Sequence, residues 1–426
     1  MRMPLEGVRV LDLGQVWAGP WLGRLLADLG AEVIKLESIQ IYDLSRGALA
    51  KRTVIGGYPN NDPGERPFNR RGTFQHWNRN KLGVTLNLRD HKAKAIFERL
   101  AKLCDVVTEN FPPRVMRGFG VTYEELKRLK PDIIMLSMPA YGATGPEKDY
   151  RAFGVSQEQM AGHADLTGYL GENETPMKSG IDYGDPTAGA NGAALILAAL
   201  HCLRQTGNGQ CIDVSQAEAT SLLIGEALMD YTMNRRLSRR MGNRHPWMAP
   251  HGCYRCLGND KWVTIAVSSD EEWQALYRAM GRPVWSAEKR FCNALSRWKH
   301  QDELDHLIQE WTTRRQHLEA METLQAAGVP AGAVVNSQER FENEHLQERG
   351  YFLQGSSPEV GSHYYQGPPM KLTRTPITIQ RLAPALGEHN EYIFGELLGL
   401  SKGQIDALER EQIIGKVPLP GADRDS

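Results

Sequence analysis

Short apolar segments alternate with helical patterns between residues 8 and 138 of the chain. The segments VRVLDLG, AEVIKLE, DVVTENF and DIIMLSM have the length and apolar content of buried strands, and amphipathic stretches separate them. Pro20 and Gly30 delimit the first helix, since Pro suits the first helical position and Gly the position after the last. Strands separated by helices of this length predict a doubly wound α/β fold, a parallel sheet with helices on both faces.

The chain has 426 residues, more than one compact core usually holds, so we expect two domains. A strand, CIDVSQAEA, and a helix over Ala217–Met233 end the first α/β part, and from residue 250 HGCYRCLGNDKWVTIAV alternates as a β-hairpin does. Residues from about 250 to 330 therefore form a different unit from the α/β part.

Composition and charge bear on partners and location. Lys and Arg total 50 against 51 Asp and Glu, so no overall field favours nucleic acid or an anionic membrane surface. The N-terminal residues lack the pattern of a signal peptide, and no run of about 18 uncharged apolar residues occurs. We therefore expect a cytoplasmic protein that binds neither nucleic acid nor membranes.

Six cysteines are spread along the chain, and only Cys253 and Cys256 have metal-like or redox-like spacing. No second Cys-x-x-Cys completes a set of four ligands, and His251 is the one candidate ligand close by. The alternation around the pair is typical of a hairpin. The sequence thus favours two ordinary strand cysteines and no metal site.

The turn after the first strand reads GQVWAGPWLG, which is not the G-x-G-x-x-G of dinucleotide-binding proteins. A Gly-Pro step onto a helix N-terminus still offers backbone N–H groups to a ligand oxygen. A tight strand–helix connection without a ligand explains the same residues. Both interpretations remain open at this point.

Basic and aromatic residues follow two other predicted strands. Arg89 ends NRNKLGVTLNLRD, and ENFPPRVMRGFG supplies Asn110, Phe111, Arg114 and Arg117 where open α/β sheets bind ligands. Arg makes bidentate contacts with phosphate, and Phe offers a stacking face. A solvated basic surface is the alternative.

Two carboxylates, Asp182 and Asp185, precede a helix rich in small residues, GDPTAGANGAALILAAL. Asp185 stands directly before Pro186, which suits a helix N-cap, and a nucleophile is the other interpretation. Gly189 and Gly192 inside the helix each cost about 1 kcal/mol relative to Ala. Such glycines predict the close approach of another backbone or of a bulky ligand.

An ordered series of motifs resembles the class III CoA-transferase family, which includes formyl-CoA transferases, carnitine-type CoA-transferases and α-methylacyl-CoA racemases. The motifs are LEGVRVLDL with AGP, LADLGAEVIKLE, NRNK, ENF, GDPTAGANGAALILAAL, TGNGQCIDVSQAEA and GVPAG. They extend from about residue 5 to residue 415. The resemblance implies a large doubly wound α/β domain built from both chain ends, a smaller α+β domain and an interlocked dimer. The domain boundaries expected on this basis are a first part over 1–225, a linker over 226–249, the small domain over 250–330 and a return segment over 331–426.

The resemblance also implies the site residues. Asp185 takes the place of the nucleophilic aspartate, with the helix N-terminus favouring its ionised form, and Asp182 becomes a structural carboxylate. The positions that match the family's CoA contacts are Val16, Trp17, Ala18, Leu86, Arg89, Asn110, Phe111, Arg117 and Tyr141. Two of them depart from the family pattern, since Trp17 replaces a glutamine of formyl-CoA transferases and Arg117 stands one residue early.

The implied activity is transfer of CoA from an acyl-CoA to a free carboxylic acid through anhydride and aspartyl-CoA thioester intermediates, with CoA as substrate and no tightly bound cofactor. Arginines within Asn234–Gly252 suggest succinyl-CoA or another dicarboxylic thioester. A racemase-like epimerase is an alternative, although Phe153 and Gly154 stand where its His and Asp would be. A non-catalytic CoA-binding subunit is another. The expected assembly is an interlocked homodimer, or a heteromer with a homologous subunit.

Overall fold

The computed structural model of the chain describes residues 2–47, 57–169 and 175–422. They form two compact units. The first comprises Met1–Ala164, Lys178–Arg236 and Gly350–Ser426, and the second Asp165–Met177 and Leu237–Arg349. The first unit therefore takes residues from both ends of the chain, as predicted.

A six-stranded parallel sheet forms the centre of the first unit, in the order β3-β2-β1-β4-β5-β6. Its strands are β1 (Arg9–Asp12), β2 (Glu32–Glu37), β3 (Lys81–Thr85), β4 (Val106–Glu109), β5 (Ile134–Ser137) and β6 (Cys211–Asp213). The order reverses between β1 and β4, and such a switch point leaves a crevice at the carboxyl ends of the strands. The predicted doubly wound α/β fold is confirmed.

Helices cover both faces of this sheet. The helices up to residue 234 are, in chain order, α1 (Ala18–Asp28), α2 (Pro67–Arg70), α3 (Gly72–Trp77), α4 (His91–Lys102), α5 (Pro113–Phe119), α6 (Tyr123–Leu129), α7 (Gly154–Met160), α8 (His163–Leu166), α9 (Gly184–Thr206), α10 (Gln216–Ser221) and α11 (Gly225–Asn234). Successive strand residues point to opposite faces, so Val10 joins the core under α1 and α9 while Leu11 joins the core under α4.

The second unit is a small α+β fold. Its antiparallel sheet has the order β7 (His251–Arg255), β8 (Trp262–Ala266) and β9 (Ala331–Ala333). Its helices are α12 (Asp270–Ala279), α13 (Ala294–Lys299), α14 (Gln301–Thr312), α15 (His317–Ala326), α16 (Ser337–Phe341) and α17 (Glu344–Glu348). The predicted hairpin is β7–β8. Because β9 pairs with β8, this unit extends past residue 330, where the sequence boundary was placed.

The C-terminal part of the chain completes the first unit. It contributes the hairpin β10 (Phe352–Ser357) and β11 (Gly361–Gln366), a π-helical segment (Glu391–Leu397) and α18 (Lys402–Arg410). Phe394 and Ile405 lie in the same core as Leu11 and Phe97. The side-chain oxygen of Asn390 accepts a hydrogen bond from the Thr85 N–H (3.0 Å) and so joins this segment to β3.

Two elements after β5 differ from the sequence prediction. The strand expected over Cys211–Ala219 ends at Asp213, because Ser215 caps α10 by accepting a hydrogen bond from the Glu218 N–H (3.2 Å). The single helix expected over Ala217–Met233 is divided into α10, a 3-10 turn and α11. The side-chain cap of Ser215 therefore sets where the strand ends and the helix begins.

Within the described residues, α9 is one helix whose length and composition would suffice to cross a membrane, unlike the expectation from the sequence. A buried core helix meets the same test. Ala188, Gly192 and Ile196 of α9 are buried, and Ala188 and Ile196 belong to the core beneath the sheet. The glycines of α9 predicted the close approach of another backbone, and α1 is that backbone. A Cβ at Gly189 would lie 2.8 Å from the Ala18 carbonyl oxygen.

Candidate active site

The turn that joins β1 to α1 is held in an unusual backbone conformation. Val16 has φ +67°, which is a rare value for a β-branched residue. Its N–H donates to Asp43 Oδ1 (3.1 Å), and Asp43 Oδ2 accepts a hydrogen bond from Lys35 Nζ (2.8 Å). Lys35 and Asp43 are both fully buried. This buried ion pair fixes the strained turn, as strained backbone at functional sites requires.

A second buried ion pair lies under the same turn. Lys81 Nζ donates to Asp12 Oδ2 (2.8 Å), and Asp12 Oδ1 accepts the Gly14 N–H (2.9 Å). Burial lowers the pKa of Lys81 to about 8, although the nearby Asp12 carboxylate opposes the shift. Lys81 of the NRNK motif and Asp12 of the first strand therefore form a buried ion pair, and Asp12 holds the turn through the Gly14 N–H.

Asn110 completes the support from β4. Its Oδ1 accepts the Gln15 N–H (2.8 Å) and its Nδ2 donates to the Gln15 carbonyl (2.9 Å). Gly14 and Gly19 pack so closely that a Cβ on Gly14 would be 2.6 Å from the Gly19 Cα. The glycines of this turn therefore permit close backbone packing, and the amide of Asn110 is occupied by the turn itself.

Asp185 lies in the first turn of α9 and is 7% exposed. The N-cap position is Tyr183, so the interpretation of Asp185 as an N-cap is wrong: the helix begins at Gly184, two residues earlier than Pro186 suggested. The backbone N–H of Ala18 instead faces the Asp185 carboxylate and favours its ionised form. The first residue of α1 and the first turn of α9 thus meet at this carboxylate.

Burial raises the pKa of Asp185 to about 7, with the Ala18 N–H opposing the shift and the charge of Asp182 adding to it. The helix N-terminus alone would have lowered this pKa, so burial outweighs it. Asp182 itself is paired with Lys178 Nζ (2.8 Å). The two carboxylates differ in their surroundings, since Asp185 is buried and unpaired with any described cation while Asp182 forms a surface ion pair.

The helix α7 supports Asp185 from the other side. A Cβ at Gly154 would overlap Asp185 Oδ2 and the Asp182 side chain, so only glycine fits there. Glu158, fully buried on the same helix, accepts hydrogen bonds from the Tyr183 N–H (2.6 Å) and the Ser179 hydroxyl (2.6 Å). Glu158 therefore holds the segment that leads into α9. Sequence reasoning missed Glu158, because a seven-residue helix gives no periodic signal for it.

A cavity of about 520 Å³ opens at the carboxyl ends of the strands and includes Asp185 in its wall. Six predicted site residues line it: Val16, Leu86, Arg89, Asn110, Phe111 and Asp185. Gln157, Gln216 and Arg151, which the resemblance did not assign, are among its other lining residues. The cavity lies at the sheet edge where open α/β folds bind ligands.

The remaining predicted site residues lie outside this cavity. Ala18 contributes its N–H to Asp185, and Trp17 stacks on Trp77 with ring centroids 5.0 Å apart. Tyr141 lies edge-on to Tyr150, a residue of the cavity wall, at 6.2 Å.

Arg117 points toward Asp149 at 3.9 Å, whereas Arg114, one turn earlier on α5, lines the cavity.

Three arginines of the cavity wall carry its positive charge. Arg89, Arg114 and Arg151 are exposed, and among the described residues none of their guanidinium groups has a carboxylate partner. Phe111 adds an aromatic face and packs edge-on against Phe119 at 6.3 Å. Unpaired guanidinium groups at the mouth of an apolar cavity suit an anionic ligand such as a phosphate.

Three of the five arginines of Asn234–Gly252 form ion pairs with acidic residues. Arg236 pairs with Asp230 (2.6 Å), and Arg240 pairs with Asp165 (3.0 Å). Arg244 contacts Asp302 (2.6 Å) and Asp305 (2.8 Å). These three side chains therefore have local partners and are not free cations.

Among the described residues, no group of three or more His, Cys, Asp or Glu side chains could hold a metal ion. Cys253 lies within β7 and Cys256 directly follows it, and the thiols of both are free. Burial raises the pKa of each thiol, to about 11 for Cys256, so both are protonated and unreactive at neutral pH.

The fold and the cavity agree with a known family. The sequence profile of CoA-transferase family III matches residues 5–390. The chain belongs to CoA-transferase family III and is an acyl-CoA:carboxylate CoA-transferase. The resemblance stated from the motifs is thereby confirmed.

Relatives with named activities cover nearly all of the chain. A succinyl-CoA–D-citramalate CoA-transferase from Chloroflexus aurantiacus is 33% identical over 414 residues, 96% of this chain and 98% of that protein. The β subunit of a succinyl-CoA–L-malate CoA-transferase from the same species is 30% identical, over 97% of this chain and 98% of that protein. Among solved structures, a CAIB/BAIF family protein from Brucella suis is 28% identical with a TM-score of 0.81, and the match covers 93% of this chain and 100% of that one.

Proposed function

We propose that the enzyme transfers CoA through covalent intermediates on Asp185, and that its donor is succinyl-CoA or another dicarboxylic thioester. The observation that carries the proposal is the buried Asp185 carboxylate in the wall of the cavity, where the Ala18 N–H reaches it and no described cation neutralises it. A desolvated carboxylate is a stronger nucleophile than a hydrated one, and covalent catalysis divides one difficult exchange into easier steps.

The first half of the reaction forms an enzyme–CoA thioester. A carboxylate oxygen of Asp185 attacks the thioester carbonyl of the donor, the C–S bond breaks and CoA leaves as a thiolate, which gives a mixed anhydride. The thiolate then attacks the side-chain carbonyl of Asp185, the anhydride C–O bond breaks and the donor acid leaves as its carboxylate. No proton is gained or lost in these two steps.

The second half repeats these steps in reverse order with the acceptor acid. Its carboxylate attacks the Asp185 thioester and releases CoA thiolate, which attacks the acceptor carbonyl and restores the free Asp185 carboxylate. Each attack develops negative charge on an oxygen at the N-terminus of α9. Backbone N–H groups there, together with the Ala18 N–H, are suited to stabilise that charge.

The CoA part of the substrate has suitable partners in the same cavity. We assign its phosphates to Arg89 and Arg114, and its adenine to the apolar surface of Leu86 and Phe111. The strained turn at Val16 borders the cavity close to Asp185, and we assign the reacting end of CoA to it. Val16, Ala18 and Asn110 then act through the backbone of this turn.

The dicarboxylic donor is supported by the relatives, since the activities named for two of them use succinyl-CoA. Three of the five arginines that first suggested it, Arg236, Arg240 and Arg244, are paired with local carboxylates. A direct assay compares kcat/KM for succinyl-CoA and acetyl-CoA with one acceptor acid and identifies the new thioester by mass spectrometry. A succinyl-CoA preference of tenfold or more is expected, and equal values for the two donors would contradict it.

The alternative activities have less support. A racemase needs a second base beside Cα, and no histidine lines the cavity among the described residues. Its signature is exchange of the Cα proton with solvent deuterium, which we expect to be absent. A non-catalytic subunit would not form a covalent adduct at Asp185.

We further propose a homodimer, interlocked as the resemblance implies, in the cytoplasm. A run of exposed apolar side chains on and before α11 supports an interface, with Leu222 75%, Leu223 53% and Met233 72% exposed. The free cysteines support a reducing compartment. A relative named as a β subunit leaves a heteromer as the alternative. Native mass spectrometry of the purified chain distinguishes a dimer from a monomer that needs a second subunit.

A further inference from the structure

Gln157 is a buried polar residue of the cavity wall to which the proposed mechanism gives no role. It lies on α7 three residues after Gly154, so both face the first turn of α9. The residue is 2% exposed and lines the same cavity as Asp185. A Cβ on Gly184, the residue before Asp185, would overlap Gln157 Oε1. The amide of Gln157 therefore lies beside the start of α9.

The orientation of this amide is set by a chain of hydrogen bonds. Gln216 Nε2 donates to the Met138 carbonyl (2.7 Å), and a carbonyl can only accept. Gln216 Oε1 is therefore the acceptor for Gln157 Nε2 (2.8 Å). The NH₂ group of Gln157 is thus occupied, and its carbonyl oxygen is the free end of the chain.

Gln157 Oε1 is buried and has no hydrogen-bond partner among the described residues. Leaving a buried acceptor unpaired costs free energy, so such a group needs an explanation. A neutral N–H or O–H on a bound ligand would satisfy it. An ionised carboxylate would not, because it has no proton to donate and its charge would face the amide oxygen.

We propose that Gln157 is a specificity residue whose Oε1 accepts a hydrogen bond from a neutral donor near the thioester of the bound substrate. This proposal rests on the proposed function, because it assumes an acyl-CoA in this cavity. The donor is a hydroxyl of the acyl chain or an amide N–H of the CoA arm. A site built to hydrogen-bond one substrate group rejects the analogue that lacks it, because its own buried polar atom is then left unpaired.

The test uses succinyl-CoA as donor and two acceptor acids that differ by one hydroxyl, 2-hydroxyglutarate and glutarate. With a hydroxyl donor, the unmodified enzyme prefers 2-hydroxyglutarate by about tenfold or more in kcat/KM, and Gln157→Met removes the preference with little change for glutarate. With a CoA amide donor, Gln157→Met raises KM for succinyl-CoA about tenfold and affects both acids equally. Either result supports the proposal.

Two further variants separate this role from a general effect on folding. Gln157→Asn keeps a buried amide but withdraws its oxygen by one methylene, so it should show the same loss. Gln75→Met is the matched control, since Gln75 is 3% exposed and also has an unpaired Oε1, but lies outside this cavity. The control should change the melting temperature without changing the ratio of the two acids or the KM of succinyl-CoA.

Unchanged kcat/KM for both acids and unchanged KM for succinyl-CoA in folded Gln157→Met would overturn the proposal. If the unmodified enzyme transfers CoA to neither acid, calorimetric binding of succinyl-CoA and of 2-hydroxyglutaryl-CoA decides the question independently. A Kd about tenfold weaker for Gln157→Met than for the unmodified enzyme with either thioester still supports the hydrogen bond, and an equal Kd for both thioesters contradicts it.

Discussion

Ala18 contacts the helix of Asp185 through both of its backbone polar groups. Its N–H faces the Asp185 carboxylate and favours the ionised form, and its carbonyl oxygen lies where a Cβ of Gly189 would come within 2.8 Å. The distance between α1 and α9 therefore sets the position of the N–H that serves the carboxylate. Helix packing and site geometry are coupled through a single residue.

This coupling predicts the effect of a small substitution outside the cavity. Gly189→Ala should push α1 away from α9, withdraw the Ala18 N–H and lower kcat by about tenfold or more, with a loss of about 1–3 kcal/mol in the free energy of unfolding. Gly403→Ala on α18 is the control, because a Cβ there meets nothing within 4 Å. The control should keep full activity and gain up to about 1 kcal/mol of stability. Equal activity in both variants would contradict the coupling.

The raised pKa of Asp185 predicts an acidic limb in the pH profile. The nucleophile is the ionised form, so kcat/KM should fall about tenfold per pH unit below a midpoint near pH 7. The charge of Asp182 helps raise this pKa, so Asp182→Asn should remain active and shift the limb to lower pH. A profile flat from pH 5.5 to 8, or loss of activity in Asp182→Asn at every pH, would speak against this assignment.

The burial of Asp185 also predicts that its ionised carboxylate lowers the free energy of unfolding. The pKa of Asp185 is higher in the folded than in the unfolded chain, so folding takes up a proton between the two pKa values and ionisation destabilises the fold as pH rises toward 7. Asp185→Asn should therefore raise the free energy of unfolding at pH 8 by roughly 2–4 kcal/mol. The gain should shrink toward pH 5, and denaturant unfolding at the two pH values measures it. If Asp185→Asn were less stable than the unmodified protein at pH 8, burial of the ionised carboxylate would not be destabilising the fold.

The two arginines of α5 should differ in their effect on CoA binding. Arg114 lines the cavity without an acidic partner, and Arg117 lies near Asp149. Arg114→Gln should raise KM for succinyl-CoA roughly three- to tenfold, an effect that weakens at high salt because the site is exposed. Arg117→Gln should change KM much less. The reverse order would return phosphate binding to Arg117, the residue suggested by the motif.

The architecture of the first unit could be predicted from the sequence, because strand and helix periods alternate clearly around Val10 and Val33. Pro20 and Gly30 also predicted the first helix to within two residues at each end. The boundary at Asp213 was missed because Ser215 ends the strand with a side-chain cap, a local contact that competes with strand pairing. A pattern of hydrophobic residues gives little indication of such a side-chain cap, so it does not predict where the strand ends.

The site was predicted only in part. Asp185 lies in the cavity wall, yet its position inside the helix and its raised pKa depend on burial between α1 and α7, which no local pattern reveals. Glu158 and Gln157 lie on a helix too short to give a periodic signal. Residues whose role depends on long-range contacts therefore had to be found in the structure.

The covalent intermediate is the central claim, and trapping it tests that claim most directly. The enzyme is incubated with succinyl-CoA without an acceptor, quenched in acid, digested and analysed by peptide mass spectrometry. We predict a CoA adduct on the peptide that contains Asp185, localised to Asp185, retained in Asp182→Asn and absent from Asp185→Asn, which should have lost transfer activity. An adduct on another residue, or near-normal turnover by Asp185→Asn, would contradict the mechanism.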